Sequence, residues 1–199
     1  MYCSNFIFSL FVSSFNFIRK NDFLPIRFGE LVGLTKEDFN FNENKININK
    51  TWGYIKKMPN GFGPTKNEQS VRIIKVDKST MGVFKQLINT MTENPHELIF
   101  YSHSSKYKVI SNGGINKALK GILDKLKINQ ISVHGLRHTH ISVLLYRRLS
   151  VTYVSERAGH KDINTTLGTY AHVLKELREE DETAAVEIFE EEYSCVKNV

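Results

Sequence analysis

One short stretch of period-two alternation, Lys45-Ile-Asn-Ile-Asn-Lys50, and a second stretch of strand character, Val71-Arg-Ile-Ile-Lys-Val76, stand in a chain whose later apolar residues recur at three and four. That switch in period constrains the fold more than any other feature, because strands expose alternate residues to one face and helices expose every third or fourth. The segment between them, Met58-Pro-Asn-Gly-Phe-Gly-Pro64, is dense in turn residues, so the two strands are expected to pair as an antiparallel hairpin with a long irregular tip. Lys36 to Asn44 reads as a polar connection. The apolar run Leu98-Ile-Phe-Tyr101 reads as a third strand.

From Gly114 onward the chain is helical in rhythm, and one helix stands before it. Phe84, Leu87, Ile88 and Met91 form one stripe of a helix from about Lys78 to Thr92, and Ile115, Leu119, Ile122, Leu123 and Leu126 form another. Ser132 stands where an N-cap precedes a helix over Val133 to Arg148, whose apolar face is Ile141, Leu144 and Leu145. Two short helices near 151–158 and 162–169 and a last helix from about Val173 complete the expectation. The fold class is mostly α with a small antiparallel β-sheet packed to one side (α+β). A chain of 199 residues buries enough surface to need no staples, and Cys3 and Cys195 lie too far apart in sequence to suggest a disulfide framework or a cysteine zinc site. A reducing, cytoplasmic setting follows.

The apolar start, Met1 to Ile18, is interrupted by Ser4, Asn5, Ser9, Ser13, Ser14 and Asn16, follows no basic region and precedes no small-residue cleavage site. It is therefore read as an atypical leader helix over residues 1–22, buried in the domain or exposed at an edge, rather than as a signal peptide or anchor, and no membrane partner is expected. Charge is divided unevenly. Residues 176–199 hold nine acidic side chains and two basic ones, a balance of −7, while the preceding 175 residues hold 25 basic against 12 acidic, +13. A basic body with an acidic tail fits a polyanion partner, since each phosphate neutralised releases a condensed counterion.

The densest chemistry lies in His134-Gly-Leu-Arg137-His138-Thr-His140, followed by Ala158-Gly-His160 and, ten residues on, Tyr170-Ala-His172. His134 and His138, four apart on a helix with His140 or His160 as a third ligand, also suit a zinc site, but the helix lacks the Glu of the zinc-protease pattern, so no metal is expected. With the connecting residues, this segment resembles the signature of the tyrosine recombinases, or phage-type integrases, and is similar to integrases of Gram-positive phages and conjugative transposons. Arg27-Phe-Gly-Glu30 looks like the family's first-arginine motif, and Gly63-Pro-Thr-Lys66 with Ser70-Val-Arg72 looks like its hairpin lysine.

The resemblance implies a catalytic domain over residues 23–177 of the DNA breaking-rejoining fold, with 178–199 as an acidic tail helix and with core-binding and arm-binding domains absent. It implies site-specific DNA recombination and integration without metal or other cofactor, through a 3′-phosphotyrosyl intermediate. Tyr170 would be the nucleophile, Arg27 and Arg137 the phosphate clamps, Lys66 the acid for the leaving 5′-oxygen. His134 would assist proton transfer at Tyr170 or bond the phosphate, His160 would donate to a non-bridging oxygen, and Glu30 would orient its neighbours. His138, His140 and His172 are read as packing or hydrogen-bonding residues. Two guanidiniums suit the chemistry because they stay charged and donate in planar forks to a pentavalent phosphorus centre.

The expected partner is double-stranded DNA at an attachment-site core, in the cytoplasm of a bacterial host. A homotetramer is expected on DNA, where Leu174, Leu177, Ala184, Val186, Ile188 and Phe189 offer apolar contacts to a neighbour, and a monomer without it. Where the family has a Thr-Gly pair before the first arginine, this chain has Phe23-Leu24-Pro25-Ile26, so the approach to Arg27 is expected to be built differently. The competing expectation is a catalytically impaired fragment that only binds DNA.

Overall fold

The structure, a computed structural model, describes residues 24–58 and 61–196, with side chains described to residue 188. The leader helix expected over 1–22 lies outside the described residues. In chain order the elements are α1 (Phe28–Val32), β1 (Phe39–Asn40), β2 (Lys45–Ile48), β3 (Thr51–Trp52), β4 (Phe62–Gly63), β5 (Arg72–Lys75), α2 (Lys78–Thr90), α3 (Asn112–Leu126), α4 (Val133–Tyr146), α5 (Val151–Ala158), α6 (Ile163–Thr169) and α7 (Ala171–Val196).

The two strand segments pair antiparallel as expected, Ile46 facing Ile74 and Ile48 facing Arg72. Alternation sends Ile46, Ile48 and Ile74 into the core and leaves Ile73 exposed on the other face. Two expectations are corrected. The third strand is β1, inside the supposed polar connection and paired with β2. Leu98–Tyr101 is not a strand, because it makes only isolated bridges, Thr35 to Leu98 and Tyr101 to Val109. Its apolar character comes from burial: Leu98, Ile99 and Phe100 fill the core as irregular chain. The tip of the hairpin holds a separate two-stranded ladder, β3 with β4.

Short polar caps set most helix starts. Asp77 accepts from Thr80 N–H, Ser111 from Gly114 N–H, Ser132 from Gly135 N–H and Ser150 from Tyr153 N–H. The sheet and α2 enclose one core, with Val32, Leu34, Ile46, Ile74, Met81 and Phe84 at its centre. A second core lies between α4, α5 and α7, built from Ile141, Leu145, Val154, Ala158, Val173 and Leu177. Tyr170 belongs to this second core at 2% exposure. The last helix starts at Ala171, directly after Tyr170 and two residues earlier than expected. Its burial ends at Leu177; Val186 and Ile188 are more than half exposed, and Arg148 ties the next turn to the body through Glu180 and Asp181.

Candidate active site

The seam between the two cores is closed by arginines. Arg27 caps α1: its backbone N–H donates to Glu30 Oε2 at 3.0 Å and its Nη1 to Glu30 Oε1 at 2.9 Å. Glu30, 1% exposed, also accepts from Arg72 Nη2 at 3.0 Å. A carboxylate this deeply buried is tolerable only because two guanidiniums meet it. Gly33, at the end of α1, lets the helix lie directly on β3; a Cβ there would come within 2.9 Å of the Thr51 backbone carbon.

Arg72 stitches the seam with every nitrogen. It donates through Nε to Arg157 O, through Nη1 to Ser70 O, and through Nη2 to Pro25 O as well as Glu30. Arg137, 5% exposed, reaches the same Pro25 carbonyl and donates through Nη2 to Ala158 O at 2.7 Å. Arg27 Nη2 donates to the next carbonyl, Gly159 O, at 2.7 Å, and Nη1 to Ser70 Oγ at 3.0 Å. Gly159 ends α5 in the left-handed region, φ +67°, and a Cβ there would lie 2.7 Å from Arg72 Nη1. Only glycine satisfies both the backbone angle and the approach of that guanidinium.

Two guanidiniums therefore share one carboxylate with a third, Arg137, packed beside them, and the excess positive charge acts on Arg137 and His160. Burial, then Arg27 and Arg72, lower the Arg137 pKa to about 10. Burial, followed by Arg137, Arg27 and Arg72, lowers that of His160 to about 4, so its ring is neutral near pH 7. His160 Nδ1 lies 2.7 Å from the buried Thr166 hydroxyl. The Tyr170 phenol is pushed up to about 12 by burial, against the pull of Arg137. Its hydroxyl lies 2.8 Å from His138 Nδ1, and His138 Nε2 lies 3.1 Å from His134 Nε2. Burial first, then His134 and Arg137, lower the His138 pKa.

Arg27, Glu30, Arg137, His160 and Tyr170 thus converge on one seam. Arg27, Glu30, His134 and Lys66 line an open cleft of about 450 Å³ beside it, with Phe28, Tyr54 and Met58 as its apolar wall. Lys66 is exposed on the rim and His134 is exposed at the start of α4. Two features carry no clear mark in the sequence. Arg72 has no role assigned by the hairpin motif, and His138, four residues after His134, is the ring that meets the Tyr170 hydroxyl, with His134 one step further out. His140 is buried and receives Arg157 Nε at 3.4 Å, and His172 is exposed. Among the described residues no cluster of three His, Cys, Asp or Glu is placed to hold a metal ion, and no helix is long and apolar enough to cross a membrane.

Pro25, in the approach to Arg27 expected to be built differently, supplies the carbonyl that Arg72 and Arg137 share. Proline lacks an N–H but keeps a full acceptor, and the acceptor is what this position uses.

The chain is 32% identical over 168 residues to the integrase of Staphylococcus phage L54a, covering 78% of this chain and 46% of the relative. It is 30% identical over 167 residues to a probable integrase of prophage ps2 of Lactococcus lactis, covering 76% and 43%. The chain therefore spans less than half the length of these curated relatives. Its fold matches the Tn1549 transposon integrase, solved in complex with transposon right end DNA, with a TM-score of 0.66 at 20% identity over 84% of this chain and 57% of that one. It also matches XerA recombinase with a TM-score of 0.62 at 17% identity, covering 90% and 62%. Residues 25–176, which hold the whole arginine seam and Tyr170, match the model of the phage integrase family, and the chain belongs to that family.

Proposed function

We propose that this chain carries the catalytic machinery of a tyrosine-type site-specific recombinase, which breaks and rejoins DNA without metal through a 3′-phosphotyrosyl intermediate. The observation that carries the proposal is the meeting of one buried phenol with a cluster of guanidiniums that outnumber their single carboxylate. Such a site is deficient in one anion, and a scissile phosphate supplies it. Arg27 and Arg137 turn N–H groups from backbone carbonyls to the non-bridging oxygens, where they stabilise the extra charge of the pentavalent state. With the Thr166 hydroxyl donating to Nδ1, neutral His160 presents its Nε2–H to the same oxygens.

Tyr170 attacks phosphorus, the bond from phosphorus to the 5′-oxygen breaks, and Lys66 on the cleft rim protonates the leaving oxygen. The covalent link conserves bond energy, so the strand can be rejoined to a new partner. Glu30 orients Arg27 and Arg72. The partner is double-stranded DNA carrying an attachment core, in the cytoplasm of a bacterial host. Four copies assemble on two duplexes, the exposed apolar residues beyond Leu177 docking on a neighbour in a closed ring, and the free chain is a monomer.

The test is strand cleavage in EDTA with a nicked duplex carrying the attachment core of the encoding element. A DNA-linked band on a denaturing gel that is absent for Tyr170→Phe supports the proposal. Cleavage that stops on adding EDTA and leaves no linked band contradicts it.

A further inference from the structure

The phenol of Tyr170 cannot ionise unaided at neutral pH. Its pKa of about 12 leaves roughly one molecule in 10⁵ as phenolate at pH 7. Something must take its proton, and the nearest ring nitrogen is His138 Nδ1, 2.8 Å from the hydroxyl. That ring does not stand alone. Its other nitrogen faces His134 Nε2 at 3.1 Å, with the two ring planes nearly perpendicular. A nitrogen-to-nitrogen contact of this length holds one proton between two lone pairs, so one ring must donate and the other accept.

We propose that His138 is a catalytic residue of this site, the immediate acceptor of the Tyr170 proton, and that it relays a proton to His134 at the surface. The inference rests on Tyr170 being the nucleophile, as proposed above. In the resting state the Tyr170 O–H donates to His138 Nδ1, and His138 Nε2–H donates to His134 Nε2. As the phenol oxygen bonds to phosphorus, its proton passes to His138 Nδ1 and the Nε2 proton passes to His134 Nε2. The bond from phosphorus to the 5′-oxygen breaks with its electron pair on that oxygen, which takes its proton from Lys66. His138 ends neutral in its other tautomer, and His134 ends as the imidazolium.

The relay places charge where the site tolerates it. His138 is half-buried beside Arg137, its helix neighbour, and is faced by His134 on α4 and by Tyr170 at the end of α6; His160 lies within electrostatic range. An imidazolium there would meet a guanidinium in a partly dry setting. His134 is exposed, so the proton leaves the arginine seam for solvent. Resealing runs the same path backwards, with His134 and His138 returning a proton to the departing phenol oxygen.

The test is single-turnover adduct formation by the full chain on the nicked attachment-core duplex between pH 5.5 and 9.5. His138→Gln is expected to slow the step by about 10²- to 10³-fold, with DNA affinity unchanged. Its residual rate should rise tenfold per pH unit because hydroxide must then take the proton, whereas the wild-type rate levels off. His134→Gln, a change at an exposed position, guards against misfolding as the explanation and should give a smaller loss with a shifted profile. Sulfur in place of the leaving 5′-oxygen should restore Lys66→Ala and leave His138→Gln slow, which separates nucleophile activation from leaving-group protonation. A wild-type rate and profile in His138→Gln overturns the relay while the loss in Tyr170→Phe keeps the nucleophile. If the wild type forms no Tyr170-dependent adduct, the functional reading fails, and nitrogen-15 shifts of the free protein decide the hydrogen-bond chain. A protonated Nε2 and bare Nδ1 on His138 supports it, and the reverse tautomer overturns it.

Discussion

Replacing Gly159 by alanine changes one hydrogen for a methyl group and should disable the seam. Two costs arise from the structure. At φ +67° an L-residue pays about 1–2 kcal/mol for the left-handed conformation. The new Cβ would lie 2.7 Å from Arg72 Nη1, 3.0 Å from its Cζ and 3.2 Å from the Ser70 backbone, so the guanidinium must move. Moving it breaks one or two bonds of a buried cation, each contributing about 1.5–3 kcal/mol. The expected loss is about 3–5 kcal/mol, read as a lower urea midpoint by circular dichroism and a melting temperature lower by on the order of 10 °C. Because Gly159 O also holds Arg27 Nη2, adduct formation should fall with stability. Arg72→Met removes the guanidinium while keeping a shorter apolar chain. In that background Gly159→Ala should cost only the backbone penalty of about 1–2 kcal/mol. Equal costs in the two backgrounds, or a cost under about 1 kcal/mol in the parent, would show that the Arg72 guanidinium does not require glycine at this position.

Three further outcomes are expected. Lys66→Ala, at an exposed side chain, should shift stability by less than about 0.5 kcal/mol while slowing cleavage, and calorimetry beside single-turnover kinetics separates the two effects. Arg137→Lys keeps the charge but replaces the fork that spans Pro25 O and Ala158 O with a single ammonium, so adduct formation should fall by about 10²-fold or more. His160 titrates near 6.5 unfolded and about 4 folded, so below pH 6.5 the unfolded chain binds a proton that the folded chain refuses. Stability should therefore fall as pH drops from 6.5 towards 4, by about 3 kcal/mol for the full shift and about 1–2 after solvent screening. Urea midpoints of the parent and His160→Gln across that range should converge at the acid end.

Much of the architecture is legible because it rests on local rules. The alternation of Ile46 and Ile48 against Ile74 sets the hairpin, and Ser132 before an apolar stripe sets α4. What stays hidden depends on tertiary contact. Strand β1 is two residues long and offers no periodicity, and Leu98–Phe100 is apolar through burial rather than through pairing. The same holds at the site. Arg27, Arg137, His160 and Tyr170 are marked by resemblance to the family's motifs, but the work of Arg72 lies in carbonyls 47 and 85 residues away in the chain. His138 sits one turn from His134, and only the placement of Tyr170 at the end of α6 makes it the ring that meets the phenol.

If Tyr170 is the nucleophile, it becomes bonded to DNA through phosphorus. Digesting the trapped adduct with protease and nuclease and sequencing the DNA-linked peptide by mass spectrometry reads that bond. The expected result is one peptide bearing a 3′-phosphonucleotide on the Tyr170 oxygen, formed equally well in EDTA. A linkage on any other residue, or complete strand cleavage with every tyrosine unmodified, contradicts it.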